Sequence, residues 1–204
     1  RPIGNGIKAA PLPPYSHRSG GVLFLARLHA RKRPLAFVEA AIRVLSHRPD
    51  TRFTIAGPDE GEGESVRTMI EQSRHGDRIS WVGPVDPAKT DELLRDTRVF
   101  VLPSVGEVFP MTVLEAFSAG TPVVTTSSLG IAEKCEQYGA AVVTDGSAVA
   151  IADAIEEILA SPAEAERLRL GAQNFIRAEL SIDAVADRLL DAYALTQDPR
   201  RGDG

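Results

Sequence analysis

Short, almost wholly apolar runs recur along the chain, each followed by a stretch in which apolar residues return at helical spacing. The runs 22–26, 53–57, 79–83, 99–103, 122–125 and 140–144 are too short for helices and show little polar alternation, so they predict strands buried on both faces. Between them, segment 34–48 sets Val38, Ala41, Ile42 and Leu45 at helical spacing behind Pro34, whose fixed φ suits a first turn. Asp86-Pro87 marks another helix start, and Ser161 with Glu164 has the form of a capping box. In 110–120, Pro110 fits a first-turn position, Val113, Leu114 and Phe117 form a buried face, and Gly120 before Thr121-Pro122 stops the helix.

Strands that alternate with helices and carry almost no polar face imply a parallel sheet covered on both sides, because each right-handed crossover lays a helix over it. The expected fold is therefore α/β: a Rossmann-like, doubly wound parallel sheet of about six strands. Beyond Ser147 the strands stop, and three helices, broken near Pro162 and Ser181, run to Leu195. Residues 1–20, rich in Pro and Gly and without period, read as an entering loop from a missing amino-terminal domain. One domain over 21–195 and a tail over 196–204 complete the expected organisation.

Composition narrows the function. A length of 204 residues with 43% hydrophobic content suits one full core rather than two. A net charge of -5 argues against a general nucleic-acid binder, so any phosphate site must be local. Cys135 is the single cysteine and no signal peptide opens the sequence, which favours a reducing, cytoplasmic setting. No apolar run approaches the roughly 20 residues that span a bilayer, leaving membrane association only to a missing segment.

Ligands of doubly wound folds sit at the carboxyl ends of the strands, so the loops there carry the chemistry. The first strand leads into Arg27-Leu-His-Ala-Arg-Lys32, whose two outer cations suit a diphosphate: a planar guanidinium fork and a mobile ammonium. The same residues fit a solvated basic loop, and His29 to Pro34 also has the form of a short nuclear-localisation patch. The fourth strand leads into Glu107, and the following helix starts at the crevice, where its free N–H groups around Pro110, Met111 and Thr112 suit an anion. Glu115 lies further inside that helix, so two carboxylates address different parts of one ligand, as sugar and ribose hydroxyls require. Singly, Glu107 also fits a surface acid, and Glu115 a carboxylate that ties the helix to a loop. For the crevice to be without function, these plain roles and the solvated basic loop would all have to hold together.

Other chemistry is absent from the pattern. His17, His29, His47 and His75 lack metal-ligand spacing, no Asp-x-Asp occurs between strands, and neither G-x-G-x-x-G nor G-x-x-x-x-G-K-[ST] is present. No metal and no bound cofactor are expected, and Trp81 and Phe100 read as core.

Taken together, these motifs resemble the glycosyltransferase group 1 family, a retaining class with the two-domain GT-B fold. Asn5-Gly6-Ile7 is similar to the opening of that family's second domain, with Lys8 where Asp is usual. Arg27-Leu with Lys32 resembles its Gly-Arg-Leu-x-x-x-Lys loop, with Ala26 in place of Gly. Ile55-Ala-Gly57 resembles its second strand, Trp81-Val-Gly83 a strand end near the nucleobase, and Glu107 through Glu115 its paired glutamates, with Phe109-Pro110 for Phe-Gly. The family's Gly-Gly-x-Pro-Glu segment stands here as Leu129-Gly-Ile-Ala132-Glu133, without one Gly and the Pro.

The resemblance implies a donor-binding domain for a nucleoside-diphosphate sugar of UDP, GDP or ADP type. Arg27 and Lys32 would hold the diphosphate, Glu107 the sugar hydroxyls and Glu115 the ribose. Gly57, Val82, Gly83, Pro84, Phe109, Pro110, Met111 and Thr112 would complete the donor site. It further implies metal-independent transfer with retention to an acceptor held by the chain's own amino-terminal Rossmann-like domain, this fragment alone being inactive. A non-catalytic nucleotide or nucleotide-sugar sensor on the same fold is the alternative.

Overall fold

A computed structural model describes residues 15–108 and 110–180. Among them, β1 (Val22–Leu25), β2 (Phe53–Ala56), β3 (Ile79–Trp81), β4 (Val99–Leu102), β5 (Val123–Thr126) and β6 (Val142–Thr144) form one sheet. Its order is β3-β2-β1-β4-β5-β6, with every neighbouring pair parallel. The six expected strands are present, generally shorter at their ends. The inner strands β1, β4 and β5 are buried at every position, and the edge strands β3 and β6 are not, as a covered parallel sheet requires.

The helices are α1 (Pro34–His47), α2 (Gly63–Gln72), α3 (Thr90–Asp96), α4 (Met111–Ser118), α5 (Ala132–Tyr138), α6 (Ala148–Ala160) and α7 (Pro162–Phe175). In one layer α1 packs against α2 and α6; in the other α4 packs against α3 and α7, and α5 against α7. Val38, Ala41 and Leu45 of α1 are buried as their spacing predicts, and Phe37 between them meets Phe24 and Phe53 at centroid distances of 5.5 and 5.9 Å. Each fully buried phenyl ring of this kind contributes about 1.5–3 kcal/mol. No helix among the described residues is long and apolar enough to cross a membrane.

Two local expectations change. Asp86-Pro87 opens a 3₁₀ turn (Pro87–Lys89), with α3 beginning only at Thr90. The capping box is half made: Ser161 accepts from the Glu164 N–H at 3.2 Å, but the Glu164 carboxylate turns to Arg167, where a charged donor outbids a backbone amide. Residues 1–14, the expected helix beyond Ser181 and the tail 196–204 lie outside the described residues.

The topology fixes where a crevice opens. Strand order reverses between β1 and β4, and β1 pairs with β2 over four residues but with β4 only at Val22 and Leu23. The two central strands therefore lose contact toward their carboxyl ends, and the crevice opens there.

Candidate functional site

From the end of β1 the chain makes a tight turn before α1. The His29 ring Nδ1 accepts from the Arg31 N–H at 3.2 Å, a 3₁₀ turn covers Ala30–Lys32, and Arg33 closes it in the left-handed region at φ 54°. A non-glycine residue there costs about 1–2 kcal/mol, and Arg33 is the single residue between the turn and α1, which starts at Pro34. From β4, Ser104 leads into loop 105–108, which is held on two sides. On one, the Val105 N–H donates to the Arg31 carbonyl at 2.8 Å and Arg31 Nη2 to the Gly106 carbonyl at 2.6 Å. On the other, the Gly130 N–H donates to the Glu107 carbonyl at 2.8 Å.

Between these turns lies a cavity of about 380 Å³, lined among others by Arg27, His29, Arg31, Lys32, Glu60, Ser104 and Glu107. Lys32 Nζ donates to Glu107 Oε1 at 2.6 Å, both side chains being about four-fifths buried (18% and 21% exposed). Arg27 Nη1 meets Glu60 Oε1 at 2.9 Å on the rim, where 62% and 36% exposure leaves the pair screened by water. The second Glu107 oxygen, Oε2, and Ser104 Oγ are buried without a hydrogen-bond partner among the described residues. Arg27, Lys32 and Glu107, expected from the sequence to act together, are thus brought to one cavity, each already paired with an opposite charge.

The other expected residues that the structure describes are not among those lining this cavity. Pro110 is the residue before α4, one position earlier than a first-turn proline, and its carbonyl accepts from Val113 and Leu114 at 3.0 and 3.2 Å. Met111 and Thr112 then occupy the first turn, where N–H groups have no acceptor inside the helix. Phe109 lies outside the described residues. Glu115 is exposed on α4, and desolvation by the surrounding protein raises its carboxyl above the ordinary range. Gly57 has φ 146°, and a side chain there would meet the Ala26 carbonyl at 1.9 Å. It is tied to the next loop by its N–H to the Gly83 carbonyl at 2.8 Å and by its own carbonyl, which accepts from Trp81 Nε1 at 3.0 Å. Val82 and Pro84 are exposed beside it.

Arg31, His29, Glu60 and Ser104 were not singled out as site residues by the sequence. Arg31 and His29 stand inside the basic run, and Glu60 and Ser104 follow strands β2 and β4, so a uniform reading of every strand end would have included them. Among the described residues no three His, Cys, Asp or Glu side chains gather as metal ligands.

The sequence pattern described as Glycosyl transferases group 1 matches residues 17–175. A D-inositol 3-phosphate glycosyltransferase of Pseudarthrobacter chlorophenolicus is 32% identical over 164 residues, covering 78% of this chain and 39% of the relative. A glycogen synthase of Mycobacterium tuberculosis is 31% identical over 199 residues, covering 94% and 47%. The chain thus spans less than half the length of either. Among solved structures, a mutant of S. aureus TarM in complex with fondaparinux, α-GlcNAc-glycerol and UDP superposes with a TM-score of 0.79 at 19% identity, over 93% of this chain and 38% of that one. Anabaena HepE in complex with UDP-glucose superposes with a TM-score of 0.74 at 17% identity, over 87% and 49%. At such identities these structures establish the shared fold.

Proposed function

Since the chain belongs to the group 1 glycosyl transferases, we propose that it is the donor-binding half of such an enzyme and takes a nucleoside-diphosphate sugar. The observation that carries this reading is the convergence of Arg27, Lys32 and Glu107, from the ends of β1 and β4, on one cavity. Arg27 and Lys32 bind the diphosphate, and the first turn of α4 presents the N–H groups of Met111 and Thr112 beside it. Glu107 takes hydroxyls of the sugar, Glu115 the ribose, and the loops at Gly57 and at Val82, Gly83 and Pro84 flank the base. The occurrence of UDP in the TarM and HepE structures favours a uridine nucleotide.

As the bond from the anomeric carbon to the diphosphate breaks, negative charge grows on the leaving phosphate. Fixed cations and helix N–H groups stabilise that charge more than the ground state, which lowers the barrier without a divalent ion. Lys32 turns from Glu107 toward the phosphate or bridges the two. Transfer proceeds with retention to an acceptor held by an amino-terminal domain, so this chain alone binds donor and does not transfer it.

Calorimetry with UDP and UDP-glucose in EDTA tests the reading. Both ligands bind, and Lys32→Ala loses about 1.5–3 kcal/mol, roughly 10- to 150-fold in Kd, for one charge-assisted contact. Unchanged affinity in Lys32→Ala, or binding that appears only with magnesium or manganese, would overturn the assignment.

A further inference from the structure

Two residues that line the donor cavity each carry a buried polar atom with no partner among the described residues, Ser104 Oγ and Glu107 Oε2. A folded chain rarely leaves such groups unsatisfied, and those it does leave call for a specific explanation. Neither is free to find a partner by shifting the backbone. The Ser104 carbonyl accepts from Thr126 Oγ1 at 2.6 Å and from Ser128 Oγ at 3.0 Å, which fasten the end of β4 to the end of β5. Glu107 is held at its other oxygen by Lys32 and at its carbonyl by Gly130.

We infer that Ser104 is a sugar-reading residue, which together with Glu107 Oε2 recognises unsubstituted hydroxyl groups on the donor sugar; this rests on the donor reading of the cavity. The chemistry of the two atoms selects the ligand group. A carboxylate oxygen only accepts a hydrogen bond, whereas a serine hydroxyl both donates and accepts. A sugar hydroxyl meets both demands, giving its hydrogen to Glu107 Oε2 and taking the one on Ser104 Oγ, either singly or as two adjacent hydroxyls. A phosphate oxygen satisfies Ser104 but is repelled by Glu107, so the diphosphate is confined to the Arg27 and Lys32 side. Ser104 is 1% exposed, which makes the contact strongly discriminating: a donor without the hydroxyl leaves two buried groups unpaired.

The test is calorimetry of Ser104→Ala against UDP, UDP-glucose and the UDP-2-, 3- and 4-deoxyglucoses, with a thermal melt of each protein. UDP affinity stays within about twofold and UDP-glucose affinity falls about tenfold. One deoxy donor binds both proteins equally, because the hydroxyl that Ser104 reads is already gone. The melting temperature does not fall, since the substitution removes a hydroxyl that no protein group uses. Unchanged affinity for UDP-glucose overturns the inference, as does an equal loss for UDP, or a lower melting temperature with affinity lost for every ligand. If the unaltered chain binds neither UDP nor any of these sugars, the donor reading itself fails and the inference falls with it.

Discussion

At the scale of single residues, the cavity is organised by charges that hold one another, Arg27 with Glu60 and Lys32 with Glu107. Glu60 and the expected diphosphate compete for Arg27, and the pair at 2.9 Å is exposed enough that water and salt weaken it. Such a pair is worth about 0.2–1 kcal/mol, so Glu60→Gln should tighten nucleoside diphosphate binding by roughly 1.5- to 5-fold, less at high salt. A weaker affinity in that variant would mean that Glu60 touches the ligand directly. Glu115 presents the opposite case, a carboxyl raised above its ordinary range by desolvation. Because its folded pKa lies above the unfolded one, its contribution to stability is fully present below the unfolded pKa and is lost as pH rises through the folded value. At neutral pH the ionised group is therefore a cost to folding. Glu115→Gln should melt no lower than the parent at pH 7 and show a smaller change between pH 4 and pH 7. It should also lose about 1–3 kcal/mol of affinity for nucleotide and nucleotide sugar alike. A lower melting point with affinities intact would make Glu115 a packing residue.

At the scale of elements, the cavity depends on loops fastened to each other rather than on any one helix. Loop 105–108 is bound on one side to the turn after β1 and on the other to Gly130, in the segment that departs from the family's Gly-Gly-x-Pro-Glu pattern. A β-carbon on Gly130 would stand 2.5 Å from the Val108 carbonyl, so the backbone itself must move. Gly130→Ala should cost about 1–3 kcal/mol of stability by overpacking and should weaken UDP-glucose more than UDP, because the displaced loop carries Glu107. Equal affinities in calorimetry, with stability alone reduced, would show that the loop relaxes without moving the carboxylate.

At the scale of the whole molecule, a buried arginine joins the start of the described chain to the helices of one layer. Arg18 Nη1 donates to the carbonyls of Leu94 and Thr97 at 2.9 and 2.8 Å and to Thr121 Oγ1 at 3.1 Å. Its Nη2 donates to the carbonyls of Ala119 and Gly120 at 2.7 and 2.8 Å. It thus caps the carboxyl ends of α3 and α4 together, where orphan carbonyls and the helix dipole favour a cation. Burial, and after it the charge of Arg169, pushes its pKa down to about 10, which still leaves it protonated at neutral pH. Arg18→Met strands several acceptors at about 1–3 kcal/mol each, so it should lose at least about 3 kcal/mol. For a domain of this size that lowers the melting temperature by roughly 6–12 °C, measurable by circular dichroism.

What the sequence by itself determined is what local pattern carries. The apolar runs set the six strands, their uninterrupted hydrophobicity implied a parallel sheet, and the topology of such a sheet placed a crevice at its carboxyl end. That Arg27, Lys32 and Glu107 share one cavity was legible because all three stand in loops at the carboxyl ends of neighbouring central strands. The partners of those charges were not legible. Arg27 meets Glu60 across 33 positions and Lys32 meets Glu107 across 75, and no periodicity reports a contact between different turns. The same limit applied to Arg18, which stood in a stretch read as a loop, although its guanidinium is buried against two helix ends. Tertiary structure alone decided which hydroxyl and which carboxylate oxygen remain unpaired on the cavity. A hydrogen bond depends on atoms coming within about 3 Å of each other in a defined direction, and only the packed sheet and its loops set that spacing.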